Sequence, residues 1–256
     1  MRLTEGSPRD ERPPRVRIVP GRPAVEADGA AAPERELKFL VPESRAAFIA
    51  GWLRGVCARD PSYPPARVVT VYFDTARLDL LDEKINSDYL KTKVRVRWYE
   101  RPDGSMAGES AFVEAKRRVG STRGKMRRRL EVPASTLAGW PLDHSGWPSL
   151  LDPLRTEADL PADLGPVIRL SYMRERLVDR IGGGRVAIDT AISVDAVNPR
   201  RPRPGLPGRV PGALVEYKGR TLDLPPHLRR LTDSGGRRAS FSKYLAAYLH
   251  ATGTRL

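Results

Sequence analysis

With 45 Lys+Arg against 31 Asp+Glu over 256 residues, the chain carries a formal charge of +14, so its expected partners are acidic: polyphosphate, nucleotide, nucleic acid or an anionic membrane surface. Its one cysteine, Cys57, excludes an intrachain disulfide framework and a cysteine-based zinc cluster. No stretch approaches the roughly 18 apolar residues of a membrane helix and no apolar signal core opens the chain, so one large β-rich or α+β domain in the cytoplasm is expected.

Residues 1–33 read as a disordered basic tail. Pro8, Pro13, Pro14, Pro20, Pro23 and Pro33 interrupt a run rich in Arg, Ala and Gly that cannot bury enough apolar surface to offset its ordering entropy. The folded part is expected to start with a strand in which Glu34, Glu36 and Lys38 share a face. Pro42-Glu43-Ser44 opens a helix to about Cys57, read as a packed helix residue, with Phe48, Ile49, Trp52 and Leu53 as the apolar stripe. After a turn-rich loop, a β-branched strand over 67–74 ends in Tyr72-Phe73-Asp74-Thr75. A short helix with Leu78, Leu80, Leu81 and Ile85 follows.

The next stretch organises the reading. Lys93, Arg95 and Arg97 stand at spacing two, framed by Val94, Val96 and Trp98. Successive strand side chains point to opposite faces, so one face is cationic and the other apolar. Residues 111–119 repeat the device with Glu114, Lys116 and Arg118, and residues 125–132 with Arg127, Arg129 and Glu131. On a single antiparallel strand this alternation ordinarily marks a solvated face. Its return at Arg174 and Arg176, at Arg185 and Asp189, and at Glu216 and Lys218 argues for more. Strands that all turn cations to one side repel one another, and a multivalent anion inside a closed or nearly closed barrel would relieve that repulsion.

Eight strand-like runs result: 34–41, 67–74, 90–99, 110–118, 125–132, 166–178, 184–194 and 211–219. Gly182-Gly183-Gly184 supplies a hairpin turn, 134–139 a helix, and 198–211 a Pro- and Gly-rich loop. The dispersed His144, His227 and His250 read as surface or packing residues, because histidine ligands need a cluster. The stripe Phe241, Tyr244, Leu245 and Tyr248 reads as a packing face of the last helix. Gly120 to Lys125 is one residue short of a Walker loop, and Met126 stands where its Ser or Thr belongs, so no phosphate loop is expected there. Arg127-Arg128-Arg129 would be divided by a strand between two faces. With aromatics at 7%, a base-stacking platform is not expected, and specific nucleic-acid binding is not predicted.

The ordered set Glu34-x-Glu36-x-Lys38, Tyr72-Phe73-Asp74-Thr75, Lys93-x-Arg95-x-Arg97, Glu114-x-Lys116, Tyr172-x-Arg174-x-Arg176, Arg185 to Asp189, Glu216-Tyr217-Lys218 and Ser240-Phe241-Ser242-Lys243-Tyr244 resembles the VTC domain family over 34–250. That family is the polyphosphate polymerase branch of the CYTH-like triphosphate tunnel metalloenzymes. The first motif alone also resembles the CYTH branch, with its inorganic and thiamine triphosphatases and class IV adenylate cyclases. The resemblance implies an α+β fold: an eight-stranded antiparallel β-barrel with a cationic lumen and helices packed outside. It implies metal-dependent transfer of the γ-phosphate of ATP to a polyphosphate chain. A triphosphatase of the same fold and a non-catalytic polyphosphate-binding module are the alternatives.

By the same resemblance, Lys38, Arg95, Arg97, Lys116, Arg174 and Arg185 are the catalytic cations. Lys125, Lys218, Ser242 and Lys243 bind substrate, with Ser242 and Lys243 near the tunnel mouth, and Glu216 ligates Mn2+ or Mg2+. For Glu36 and Glu114, metal ligation and ion pairing with lumen arginines stand side by side. ATP and polyphosphate or triphosphate are the expected ligands. The SPX domain and membrane helices of the fungal polymerases are absent from the sequence, so a regulatory protein partner is a further expectation.

Overall fold

A computed structural model describes residues 34–254 except 87, 88, 121, 202 and 204; the expected tail, 1–33, lies outside the described residues. In chain order the elements are β1 (Arg35–Val41), α1 (Glu43–Val56), β2 (Cys57–Arg59), β3 (Ala66–Asp74), α2 (Asp79–Asn86), β4 (Leu90–Glu100), β5 (Phe112–Val119), β6 (Thr122–Arg129), α3 (Ala134–Gly139), α4 (Asp152–Arg155), β7 (Gly165–Asp179), β8 (Arg185–Val197), β9 (Gly208–Arg209), β10 (Ala213–Gly219), α5 (Arg230–Asp233), β11 (Arg237–Arg238) and α6 (Lys243–Thr252). Each of the eight expected runs falls on a long strand. The short β2, β9 and β11 were not expected.

All pairings are antiparallel, in the order β11-β1-β10-β8-β7-β3-β4-β5-β6, with β2 added to β7 and β9 to β8. Among the described residues the expected closure into a barrel is not made: β6 ends the sheet on one side and β1 with β11 on the other. Two local causes oppose closure. The outer edge of β1 is taken at Phe39 and Leu40 by β11, and Lys38 O accepts from Ala239 N. Meanwhile β6 carries Arg123, Lys125, Arg127, Arg128 and Arg129 among its eight residues, and a strand edge so loaded with cations resists pairing.

Two outer cores hold the sheet in its curve. Val69, Val71, Phe73, Val94, Val96, Trp98 and Val113 meet Leu137 of α3, Trp147, Leu150 and Leu154. Leu37, Phe39, Val215, Tyr217, Val186 and Ile188 meet Ile49 and Leu53 of α1, Leu228 and Leu231. Burying each large apolar side chain contributes about 1.5–3 kcal/mol, and this outward burial lets the concave face remain polar. A third cluster, Tyr72, Leu170, Tyr172, Ile192, Val194 and Leu214, is covered by Tyr244, Ala247 and Tyr248 of α6, the packing role expected for that helix face.

Several local expectations need adjustment. The 125–132 run is displaced to β6, so Leu130, Glu131 and Val132 lie beyond the strand. Cys57 ends α1 and opens β2, where it pairs with Asp179, so it is a buried strand residue. Phe48 stays 46% exposed beneath the Arg230 guanidinium, while Ile49, Ala50 and Leu53 make the buried stripe. The Gly182 to Gly184 turn is present: Gly183 takes φ 68°, and Gly184 leaves no room for a Cβ beside the Tyr217 hydroxyl. No helix among the described residues is long and apolar enough to cross a membrane.

Candidate active site

The alternation of charge along the strands becomes a cavity of about 620 Å³ on the concave face. Twelve cations line it: Lys38, Lys93, Arg95, Arg97, Lys116, Lys125, Arg127, Arg174, Arg176, Arg185, Lys218 and Lys243. Glu36, Asp60, Glu114 and Glu216 are the carboxylates of the same lining. All thirteen residues expected at the site are therefore brought to one cavity. The neighbouring Arg128 turns the other way, to Glu157 at 2.5 Å, as the split of the arginine run requires.

One side of the cavity is a closed ion-pair network. Asp189, fully buried, accepts from Arg174 Nε and Nη2 at 2.6 Å each and pairs with Lys243 Nζ at 2.5 Å. Glu216 lies 3.1 Å from Arg174, 3.4 Å from Lys243 and 3.8 Å from Lys38. Burial pushes the Glu216 carboxyl upward, but Lys243, Arg174 and Lys38 outweigh it and hold it well below the usual carboxylate range. Lys243 is thus set deep in the site and not at a mouth. Ser242 is likewise buried; it caps α6 by accepting from Leu245 N, and its Oγ also accepts from Lys93 Nζ at 3.1 Å. On the opposite wall, Glu114 accepts from Arg95 Nε and Nη2 at 2.8 and 2.6 Å and lies 3.5 Å from Arg127. Against burial, Arg95 and Arg97 hold its carboxyl down to about 2.

The other feature is a row of cations without such compensation. Lys93 lies directly across from Lys116, and Lys116 directly across from Lys125, on three adjacent strands. Among the described residues no carboxylate stands within ion-pair distance of any of the three, nor of Arg97, whose guanidinium donates to Thr70 Oγ1 and Tyr172 Oη at 3.1 Å each. Loss of water around the ammonium groups inside the cavity is the leading cause that lowers all three lysines, with half-buried Lys93 brought to about 8, while Lys116 and Lys125 keep a large part of their surface in solvent. Tyr72 faces the same group: burial raises its hydroxyl, yet Arg95, Arg97 and Lys93 bring it down to about 8. Arg185 lines the cavity while its Nη2 donates to Glu34 at 2.6 Å.

The carboxylates divide into two places. Glu36 and Glu216 converge on Lys38 Nζ, at 3.7 and 3.8 Å, while Glu114 is held on the far wall by arginines. Among the described residues no three His, Cys, Asp or Glu side chains converge. Two carboxylates completed by phosphate oxygens and water suit Mg2+ or Mn2+, which dehydrate reluctantly, so Glu36 and Glu216 fit such an ion. Glu114 stands apart from that pair.

Lys93, Arg127, Arg176 and Asp60 of the lining also stand outside those thirteen, the first three on strand faces that the charge spacing marks, and three more residues were not among the expected site residues. Asp189 shares its strand face with Arg185 four residues earlier, a signal visible in the spacing. Tyr72 shares a face with Thr70. Tyr63, under the Arg176 guanidinium at 4.2 Å, comes from a loop with no periodicity to reveal it.

The fold and its lining define a class of site: an antiparallel sheet curved around a cavity lined by cations, which suits a multivalent anion. The family model described as VTC domain matches residues 34–251, and the chain belongs to that family. Among solved structures it is similar to a putative adenylyl cyclase from Hippeastrum described as having a dominant triphosphatase activity, at 16% identity and a TM-score of 0.49, over 88% of this chain and 98% of that one. It is also similar to a Pyrococcus horikoshii protein, at 13% identity and 0.46 over 84% and 98%, and to a putative adenylate cyclase from Bacillus halodurans, at 15% and 0.46 over 82% and 93%. No curated protein matches the chain.

Proposed function

We propose that the chain is a metal-dependent polyphosphate polymerase, transferring the γ-phosphate of ATP to a phosphate chain within the cationic cavity. The observation that carries this reading is the Lys93-Lys116-Lys125 row in a member of the VTC domain family. Like charges directly opposed across a sheet are destabilising, and a chain of phosphates supplies one anion per subunit along such a row. Phosphoryl transfer needs charge neutralisation and in-line positioning more than a covalent nucleophile. Lys93, Lys116, Lys125, Arg97, Lys218 and Arg185 would hold phosphate oxygens. Arg95 and Arg174, fixed by Glu114 and Asp189, would meet developing charge without reorganising. Glu36 and Glu216 would hold Mn2+ or Mg2+, which when bound neutralises phosphate charge and orients the transferred group. Lys243 and Lys38 keep Glu216 ionised for that task.

The test is to incubate the purified protein with ATP and Mn2+ or Mg2+ and to follow polyphosphate, ADP and free phosphate together. Polyphosphate with matching ADP is the expected result. Free phosphate without polymer would replace the polymerase by a triphosphatase, and binding of polyphosphate without any product would leave a binding module.

A further inference from the structure

The lysine row runs across the strands and not along the axis of the curved sheet, and it leads outward. Its inner end, Lys93, is half-buried at Ser242, whereas Lys116 and Lys125 are exposed although both line the cavity. The cations of the opposite wall are enclosed: Arg174 and Lys243 side chains are 14% and 8% exposed. The cavity is therefore open on the side where the sheet fails to close.

Cations stand at both lips of that opening, joined on one by Glu36. One is β6, which among the described residues pairs on one side only and presents Lys125 and Arg127. The other is the Arg35 to Leu37 part of β1, which β11 leaves uncovered among the described residues, with Lys218 paired behind it to Glu36. The lips are near enough to act on each other electrostatically: Lys116 is influenced by Glu36, Lys218 and Lys38, and Lys125 by Lys218. Across the seam Lys116 is drawn toward Glu36 and repelled by Lys218 and Lys38, and Lys125 is repelled by Lys218, so a polyanion lying there is attracted by the lysines of both lips.

We propose that a polyphosphate chain enters and leaves the cavity sideways, through the seam between β6 and β1, so that an internal stretch of a long chain can be seated without threading an end. This rests on the polyphosphate reading above. It predicts a route in which phosphates lie across β6, β5 and β4 in turn, over Lys125, Lys116 and Lys93.

The experiment uses the full chain and three versions of one long linear polyphosphate: uncapped, capped at both ends by a small amide, and capped at both ends by biotin amides carrying streptavidin. Streptavidin is far too large to pass through a cavity of about 620 Å³. Competition for a labelled polyphosphate at low salt gives each affinity. Sideways entry predicts that the streptavidin-capped chain binds within about threefold of the uncapped one. A greater loss confined to the streptavidin-capped chain overturns the proposal in favour of threading. A similar loss already seen with the small cap overturns it too, since a free chain end would then be what the site recognises. If even the uncapped chain fails to bind, the polyphosphate reading falls and the sideways route with it.

Discussion

Asp189→Asn is the substitution whose cost the geometry defines best. Asp189 is fully buried, and its two oxygens hold Arg174 in a bidentate pair at 2.6 Å while one also meets Lys243 at 2.5 Å. Asparagine keeps the shape but removes the charge, leaving two enclosed cations to share Glu216 at 3.1 and 3.4 Å. Breaking a buried pair by removing one partner costs about 3–5 kcal/mol, a large part of the roughly 5–15 kcal/mol available to a folded domain. In urea, with a slope of about 2–3 kcal/mol per molar, the midpoint should fall by about 1–2.5 M. The same variant should bind polyphosphate no more weakly than the parent, because Arg174 and Lys243 gain capacity for phosphate. A midpoint shift below about 0.3 M at unchanged slope would refute the reasoning, showing that Asp189 does not neutralise this wall.

Five other substitutions address separate parts of the structure. Glu216→Gln and Glu36→Gln should each weaken Mn2+ binding in the presence of ATP, read by electron paramagnetic resonance, by about tenfold or more, whereas Glu114→Gln should leave it unchanged. Lys93, brought to about 8 mainly by burial, loses its charge in the folded protein at a lower pH than in the unfolded chain. Between about 8 and its ordinary value of 10.5 the unfolded state therefore binds more protons, so this group makes the ligand-free protein more stable as pH rises. Polyphosphate affinity should fall about tenfold over the same rise, and Lys93→Arg should flatten that profile. Tyr244→Phe removes the 2.9 Å bond donated to buried Asp74 Oδ2, and should cost about 0.5–1.5 kcal/mol in urea titrations.

Much of the lumen was legible because a strand has a period of two. Lys93, Arg95 and Arg97 had to share a face once Val94, Val96 and Trp98 claimed the other, and Glu216 with Lys218 follow the same rule. Closure was not legible, since it depends on whether two distant edges meet, and the two-residue β11 that occupies the edge of β1 has no pattern of its own. The depth of Lys243 was hidden for a similar reason. A helix-start lysine ordinarily faces solvent, and only the convergence of β7, β8, β10 and α6 supplies Asp189 and Glu216 to bury it. Cys57 was misread because α1 passes into β2 without an intervening turn.

On the proposed function, the opposed lysines of β4, β5 and β6 serve a bound polyanion and not the fold. Lys116→Met tests it most directly, because Lys116 is opposed by a lysine on each side. Each like-charge opposition costs about 0.2–1 kcal/mol. Urea titrations of the ligand-free variant should therefore show a gain of about 0.4–2 kcal/mol, while its affinity for polyphosphate drops and added polyphosphate protects it less than the parent. A variant that is less stable without ligand, or that binds polyphosphate as tightly as the parent, would contradict the account.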